Sequence, residues 1–357
     1  MRPDGKREKI SRRVRLKDIA ERCAVSTATV SRALSGRGYV QAELSAQIHE
    51  MALRLNYPLP SSLAGRRVLL AVSGPALVDL ARNQFTLHVL EGITERCQTL
   101  HMSVETRQVS TVEDEIRLLA EAEDDTVAGV LMVTIDDDAL LELARNCAKP
   151  VIMVNGDDPD MGLSSVTPCN RSAAAMAAQH LWDLGHRRIV FLTCPGRRTI
   201  ARRLEGWRDV LADHADPSLI VEVADWQPEL ADAAITERLA KRRDFTAILA
   251  TGDALAMGAY LALSRNGLTI PGDVSVISID GLPQTKLLDP PMTVMAIPMR
   301  EVGAAALDLL CETAANPSLP RRRIELACQL VERGSAGTVN AWSETDLQMR
   351  PPGCRKS

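Results

Sequence analysis

The stretch STATVSRALS, residues 26–35, puts Thr27, Ala28, Ser31 and Arg32 on one side of any helix it forms. Val30, Ala33 and Leu34 fall on the other side. Short polar side chains let a helix backbone approach the floor of a DNA major groove. Hydroxyls bond phosphates, and one guanidinium grips a guanine edge. A second set lies far downstream: Arg203, Trp226, Asp253 and Asp280, each placed beyond an apolar, strand-like run. Two carboxylates, a forked donor and a flat aromatic face are the equipment of a site for a polyol or sugar. Each member also has a plain reading: Asp253 suits a helix cap, Arg203 a charged surface and Trp226 a core. The chain carries no Walker A loop, no GxGxxG after the first strand, no GxSxG and no HExxH. Its six histidines are scattered, so no catalytic residues and no enzyme are expected.

The elements that must hold these residues are legible in the apolar spacing. Leu16, Ile19, Ala20 and Cys23 recur at i, i+3, i+4 and i+7, the signature of one helix face. Ser26 suits an N-cap, with Val25 and Val30 placed for a hydrophobic staple across it. A third helix follows with Leu44, Ile48, Ala52 and Leu55 inward, completing a three-helix unit. From residue 68 onward, apolar runs at 68–74, 127–134, 150–155, 188–194, 245–251 and 274–280 alternate with amphipathic stretches, and a further strand-like run, LIVEV, precedes Trp226. That alternation predicts parallel strands covered by helices on both faces, in two similar subdomains. Ligands of such sheets sit beyond the carboxyl ends of the strands. Arg203 is expected in a Gly/Arg-rich loop, PGRRTIARRLEGW, and Asp253 at the opening of a helix.

The 357 residues, 46% of them hydrophobic, suffice for two or three compact units, and aromatics at 3% leave the packing to aliphatic side chains. The net charge of −4 hides an asymmetry. Residues 1–67 hold 14 Lys and Arg against 6 Asp and Glu, or +8, and the remainder 28 against 40, or −12. A basic front on an acidic body points to a polyanionic partner for the front. No apolar run is long enough to span a membrane, and the charged start, MRPDGKREK, argues against a secretory signal. The eight cysteines form no CxxC pair and no zinc-like spacing. They read as buried, reduced thiols of a cytoplasmic protein, with no metal and no cofactor expected.

The string LKDIAERCAVSTATVSRALSGRGYV, followed by a helix ending in LNY, resembles the headpiece of the LacI/GalR family of bacterial repressors. The strings HLWDLGHRRIVFLTCPG, RRLEGW, ATGDALAMGA, IPGDVSVISIDG and DPPMTV resemble the effector domain of that family in order and spacing. The likeness spans roughly residues 14–335. It implies an all-α helix-turn-helix headpiece joined to an α/β, periplasmic-binding-protein-like body of two doubly wound subdomains. The expected divisions are a disordered basic arm (1–13), the headpiece (14–57), a hinge (58–67), an effector-binding and dimerisation body (68–335) and a disordered tail (336–357). Within the body the first subdomain is expected at about 66–166 with 296–320, the second at 167–295 with 321–335.

By the same resemblance Thr27, Ala28 and Arg32 face bases, Ser26, Thr29, Ser31 and Tyr39 touch phosphates, and Leu63 is the minor-groove wedge of a hinge helix. Leu63 follows Tyr57 by six residues, about three fewer than usual, and Pro58 and Pro60 limit any hinge helix to one or two turns. Arg203 and Asp280 match effector-anchoring positions, Trp226 the aromatic over the ligand ring, and Phe85 an aromatic from the first subdomain. Asp253 joins this set from its place after a strand. The departures are Arg15 where Thr or Ser caps the first helix, Ser35 for Asn, Gly252 for Asn and Cys169 for Asp. The last two remove polar ligands. The resemblance implies a transcriptional regulator, a repressor by type. A small effector, a sugar or sugar acid, would control its affinity for operator DNA. A single headpiece reads few base pairs, so a homodimer on a pseudo-palindromic operator is expected, with the helix near 84–98 as its surface. The expected setting is the cytoplasm, on the nucleoid. The rival reading, a periplasmic sugar-binding protein, would lack the basic headpiece.

Overall fold

A computed structural model describes residues 15–35, 40–55, 63–74, 80–135 and 137–339. The chain divides into two compact units, residues 1–66 with 99–102 and the remainder. The first unit holds three helices, α1 (Leu16–Cys23), α2 (Thr27–Ser35) and α3 (Ala42–Arg54). Arg15 supplies no side-chain cap to α1. Instead the Asp18 carboxylate, in the first turn, accepts the Arg15 backbone N–H at 2.7 Å, where it also complements the helix dipole. Ala24 stops the helix in the left-handed region, φ 54°, and Ser26 Oγ accepts the Thr29 N–H at 3.0 Å to start α2. Ile19, Ala20, Val30, Ala33, Leu34, Ile48 and Ala52 form the core, with Leu16, Val25, Leu44 and Leu55 packed around it.

The second unit contains two six-stranded sheets of similar wiring. The first sheet takes β1 (Arg67–Ser73), β2 (Ser103–Val109), β3 (Val127–Val133), β4 (Val151–Val154), β5 (Ser164–Pro168) and β11 (Arg323–Leu326), in the order β11-β5-β4-β3-β1-β2. The second takes β6 (Ile189–Thr193), β7 (Ile220–Glu222), β8 (Ala247–Ala250), β9 (Ser275–Asp280), β10 (Thr293–Ala296) and β12 (Gln329–Val331), in the order β12-β10-β9-β8-β6-β7. Every pairing is parallel except β10 with β12.

Helices α4 (Leu80–Leu100), α5 (Val112–Ala122), α6 (Asp138–Arg145) and α11 (Met299–Ala315) belong with the first sheet, and α7 (Asn170–Asp183), α8 (Arg198–Leu211), α9 (Pro228–Lys241) and α10 (Asp253–Arg265) with the second. One face of the first sheet is sealed by Leu118, Ala122, Leu141 and Ala144 of α5 and α6 against Leu69, Val130 and Met132. Its other face carries α11. A Cβ on Gly303 of α11 would lie 2.2 Å from the carbonyl oxygen of Val89, so only glycine lets α11 and α4 cross this closely.

The chain passes between the subdomains three times, at Pro168–Cys169, at Ile297–Pro298 and at Ala327–Cys328. The last passage corrects the expected boundary near 320. Strand β11 pairs with β5, so the first subdomain keeps the chain through Leu326. The body also runs beyond the expected 335. Gly337 accepts from His186 Nε2 at 3.0 Å and donates to Ser275 Oγ, and the Val339 N–H reaches the Leu184 carbonyl. The expected arm at 1–13, Tyr39, the first half of the hinge (58–62) and residues 340–357 lie outside the described residues. No helix among the described residues is long and apolar enough to cross a membrane.

Candidate functional site

In the headpiece unit, Ser26, Thr27, Ala28, Ser31 and Arg32 are exposed and Thr29 half-buried, on the side of α2 away from the three-helix core. Their exposure follows from the spacing of Val30, Ala33 and Leu34, which turn the opposite side inward. Ser26 has a structural task as the cap acceptor, and its hydroxyl lies 2.9 Å from that of Thr29. Arg32 Nε donates to the Ala28 carbonyl at 3.3 Å, which lays the guanidinium stem along the helix. Leu63 stands differently from the expectation of a projecting wedge. It is 6% exposed, in a turn closed by Arg66 N–H to its carbonyl and by Gly65 N–H to His101. A minor-groove role requires this turn to release it.

In the body, a cavity of about 370 Å³ opens between the carboxyl ends of the two sheets. Both sheets reverse their winding direction at the same place, between β1 and β3 in one and between β6 and β8 in the other. Such switch points leave a crevice that loops cannot cover. Ser73 and Thr134 line it from the first sheet, Cys194, Thr251 and Gly252 from the second. Thr134 and Asn155, at the ends of β3 and β4, adopt φ of 56° and 50°. A left-handed conformation is costly for a β-branched residue and is held only where the surroundings impose it.

Four of the five expected effector residues line this cavity: Phe85, Arg203, Trp226 and Asp280. Arg203 sits on helix α8, not in the loop read from the sequence, and is 4% exposed. Its Nε donates to Asn170 Oδ1 at 2.8 Å, another nitrogen donates to the Thr251 carbonyl, and Asp280 Oδ1 lies 3.6 Å away. Burial pushes the Asp280 carboxyl up to about 7, against the pull of Arg203 and with the repulsion of Asp253 added. The fifth residue, Asp253, is no cavity residue. It is fully buried, accepts from Ser278 Oγ at 2.5 Å and from the Leu282 N–H at 2.7 Å, and fixes the loop after β9. Burial also raises its carboxyl above the ordinary range. Asp253 thus supports the site from beneath.

Gly252 explains where Trp226 rests. A Cβ at 252 would lie 2.7 Å from Cζ3 and 3.1 Å from Cε3 of the indole, so the missing side chain is the space the ring occupies. Cys169 lies outside the lining.

The sequence reading missed two features. Thr86 Oγ1, Thr134 Oγ1, Asn155 Oδ1 and Thr199 Oγ1 are buried without a hydrogen-bond partner, and all four residues line the cavity. Uncompensated buried polar atoms cost about 1–3 kcal/mol each. The second feature is a latch. Arg197, Arg198 and Arg202, from the start of α8 in the second subdomain, reach the Asn155 carbonyl, Asp138 and Asp157 in the first. Asp157, 4% exposed at its side chain, also receives Arg323. The paired arginines of RRTIARR were a signal, but their partners lie 42–60 residues away in sequence.

Comparison with known proteins agrees with this architecture. The family model for bacterial regulatory proteins of the lacI family matches residues 15–59, and that for the periplasmic binding protein-like domain matches residues 178–336. The HTH-type transcriptional regulator MalR of Streptomyces coelicolor is 29% identical over 91% of this chain and 97% of its own. An HTH-type transcriptional regulator from the aml 5′ region of Streptomyces limosus, itself uncharacterized, is 30% identical over 90% of this chain and 94% of its own. The solved complex of the transcriptional regulator CelR with cellobiose superposes with a TM-score of 0.68 at 24% identity, covering 91% of this chain and all of that one. With headpiece and body both accounted for, the chain belongs to the LacI family and is a DNA-binding transcriptional regulator, not an enzyme.

Proposed function

We propose that this regulator is released from, or held on, its operator by a neutral or weakly acidic sugar bound in the cavity between the subdomains. The observation that carries the reading is the quartet of partnerless polar atoms on Thr86, Thr134, Asn155 and Thr199 around a cavity that also offers Trp226 and the Arg203–Asp280 pair. Hydroxyls and an amide oxygen spread around a cavity match a ligand with hydroxyls on every side, and the indole matches the apolar face of a sugar ring. Cellobiose in the CelR complex is consistent with that chemistry. Thr27, Ala28 and Arg32 are the base-reading residues, and Ser26, Thr29, Ser31 and Tyr39 the phosphate contacts. Leu63 becomes a wedge on DNA once its turn opens. The protein acts in the cytoplasm as a homodimer through α4, which exposes Leu87, on a pseudo-palindromic site.

A thermal-shift screen of pentoses, hexoses, disaccharides, sugar acids and nucleosides tests the ligand class. A ligand at a hundred times its Kd stabilises by about 2.7 kcal/mol. The expected hit is a neutral sugar or sugar acid whose shift disappears in Trp226→Ala. Shifts confined to nucleosides, or a sugar shift unchanged in Trp226→Ala, would refute the assignment.

A further inference from the structure

Cys169 and Cys328 occupy two of the three passages between the subdomains, one immediately after β5 and the other two residues after β11. Those strands pair in parallel, with Leu326 opposite Pro168, and the Cys169 N–H donates to the Leu326 carbonyl at 2.8 Å. The register therefore brings the cysteines together. The Cys328 N–H donates to Cys169 Sγ at 3.3 Å. Both are unbridged cysteines, 9% and 7% exposed. Behind them stands the ligand cavity, because Asn170, the next residue, accepts from Arg203.

We propose that Cys169 and Cys328 form an oxidant-sensitive disulfide site that ties two of the three subdomain crossings together. The sulfurs differ in the way such chemistry needs. Cys169 Sγ accepts the backbone N–H of Cys328, and the proximity of Cys328 brings the Cys169 thiol down to about 6 against the opposing effect of burial. It also occupies the N-cap position of the fourteen-residue helix α7, with no side-chain capping bond, at a helix end where a negative charge is favoured. The Cys328 thiol is pushed up by its neighbour Cys169 and by burial, and keeps its proton. With hydrogen peroxide as oxidant, the Cys169 thiolate attacks one peroxide oxygen. The O–O bond breaks, and the departing hydroxide takes up a proton and leaves as water. Cys169 is then a sulfenic acid. The Cys328 sulfur attacks the Cys169 sulfur, the S–O bond breaks, and the hydroxyl leaves with the Cys328 proton as a second water. Two thiols lose two electrons and two protons, and one peroxide becomes two waters. The bridge adds a covalent tie between passages already joined by the Cys169 N–H to Leu326 and Cys328 N–H to Cys169 Sγ hydrogen bonds, so the oxidised body has a stiffened hinge.

The test uses the full chain and reads the sulfur chemistry directly, so it does not depend on the sugar or DNA assignments. After brief treatment with hydrogen peroxide the intact protein should lose the mass of two hydrogens. Peptide mapping without reductant should then yield a cross-linked pair holding Cys169 and Cys328, and dithiothreitol should restore both thiols. In Cys328→Ser, Cys169 should be trapped as a sulfenic acid by dimedone. Hydrogen exchange at residues 168–172 and 326–330 should slow by about tenfold in the oxidised protein and recover on reduction. Peroxide treatment that leaves both cysteines alkylatable, or carries Cys169 to a sulfinic acid without a bridge, overturns the site. A bridge that leaves exchange at both passages unchanged overturns the stiffened hinge.

Discussion

Asp253 is where the sequence and structural readings part, and replacing it separates them quantitatively. Its carboxylate accepts from Ser278 Oγ and from the Leu282 N–H, and donors and acceptor are all buried. Asp253→Ala leaves both donors without a partner, at about 1–3 kcal/mol each, or about 2–6 kcal/mol together. Part of this is returned, because burial already penalises the carboxylate and it repels Asp280. A net loss of about 2–4 kcal/mol remains. Asp253→Asn keeps one acceptor oxygen and should lose about half as much. Urea unfolding followed by tryptophan fluorescence is the assay, since Trp182, Trp207 and Trp226 all lie in the second subdomain. An effector contact would behave otherwise: stability would be kept and the ligand-induced shift lost. A loss below about 0.5 kcal/mol in Asp253→Ala would refute the buried-strut argument.

Arg32→Ala should weaken operator binding by about 1–3 kcal/mol per half-site in a gel shift, while nonspecific binding and its steep salt dependence persist. Unchanged operator affinity would remove Arg32 from base recognition. Arg202→Ala should favour an open cleft by about 1–2 kcal/mol, because Asp157 keeps only Arg323; a larger radius of gyration in small-angle scattering is the expected sign. Glu115, fully buried with both carboxylate oxygens partnerless, is pushed up from 4.5 to about 7 by burial and by Asp137. Between those pH values the folded chain binds the proton more tightly than the unfolded one, so stability falls as pH rises through this window. Glu115→Gln should therefore raise stability by about 2–3 kcal/mol at pH 8 and by nothing at pH 4 in urea titrations. An equal gain at both pH values would count against the linkage.

Six of the seven strands read from apolar runs are β1, β3, β4, β6, β8 and β9, three of the four interior strands of each sheet. Interior strands of a doubly wound sheet are covered on both faces, so their residues are apolar throughout and stand out in sequence. Edge strands give weaker signals: β7 shows as the short run LIVEV, but β2 reads SVETRQV, with only Val109 fully buried, and β11 reads RIEL with none. Strand β5 is the instructive miss, since SSVTP is buried at every position. Its Ser164 hydroxyl accepts the Arg322 N–H and that of Thr167 donates to the Pro168 carbonyl, so polar residues there satisfy backbone groups at the edge pairing. Periodicity cannot distinguish a buried hydroxyl with a backbone partner from a solvated one. Helix α8 was missed for a related reason. Its buried face includes Thr199, Ile200, Arg203 and Trp207, at sound helical spacing, but two of those side chains are polar.

The two departures from the family pattern near the site, Gly252 and Cys169, first read as lost ligands. At 252 the structure shows an exchange. Without a side chain there, the Trp226 indole settles against the start of α10. The cavity gives up a polar contact on that wall and gains an aromatic one, so selectivity moves from a directional hydrogen bond to the shape of a ring face. The two positions are coupled, because any Cβ at 252 must displace the indole. Asparagine restored at 252 would therefore act first as a displaced Trp226 and only then as an added amide. Cys169 follows the same logic at the adjoining crossing. The sulfur there accepts the Cys328 N–H at 3.3 Å, a contact made across the crossing. Both substitutions exchange a polar group for a partner supplied by a distant segment of the chain, which is why neither consequence can be read from its own residue alone.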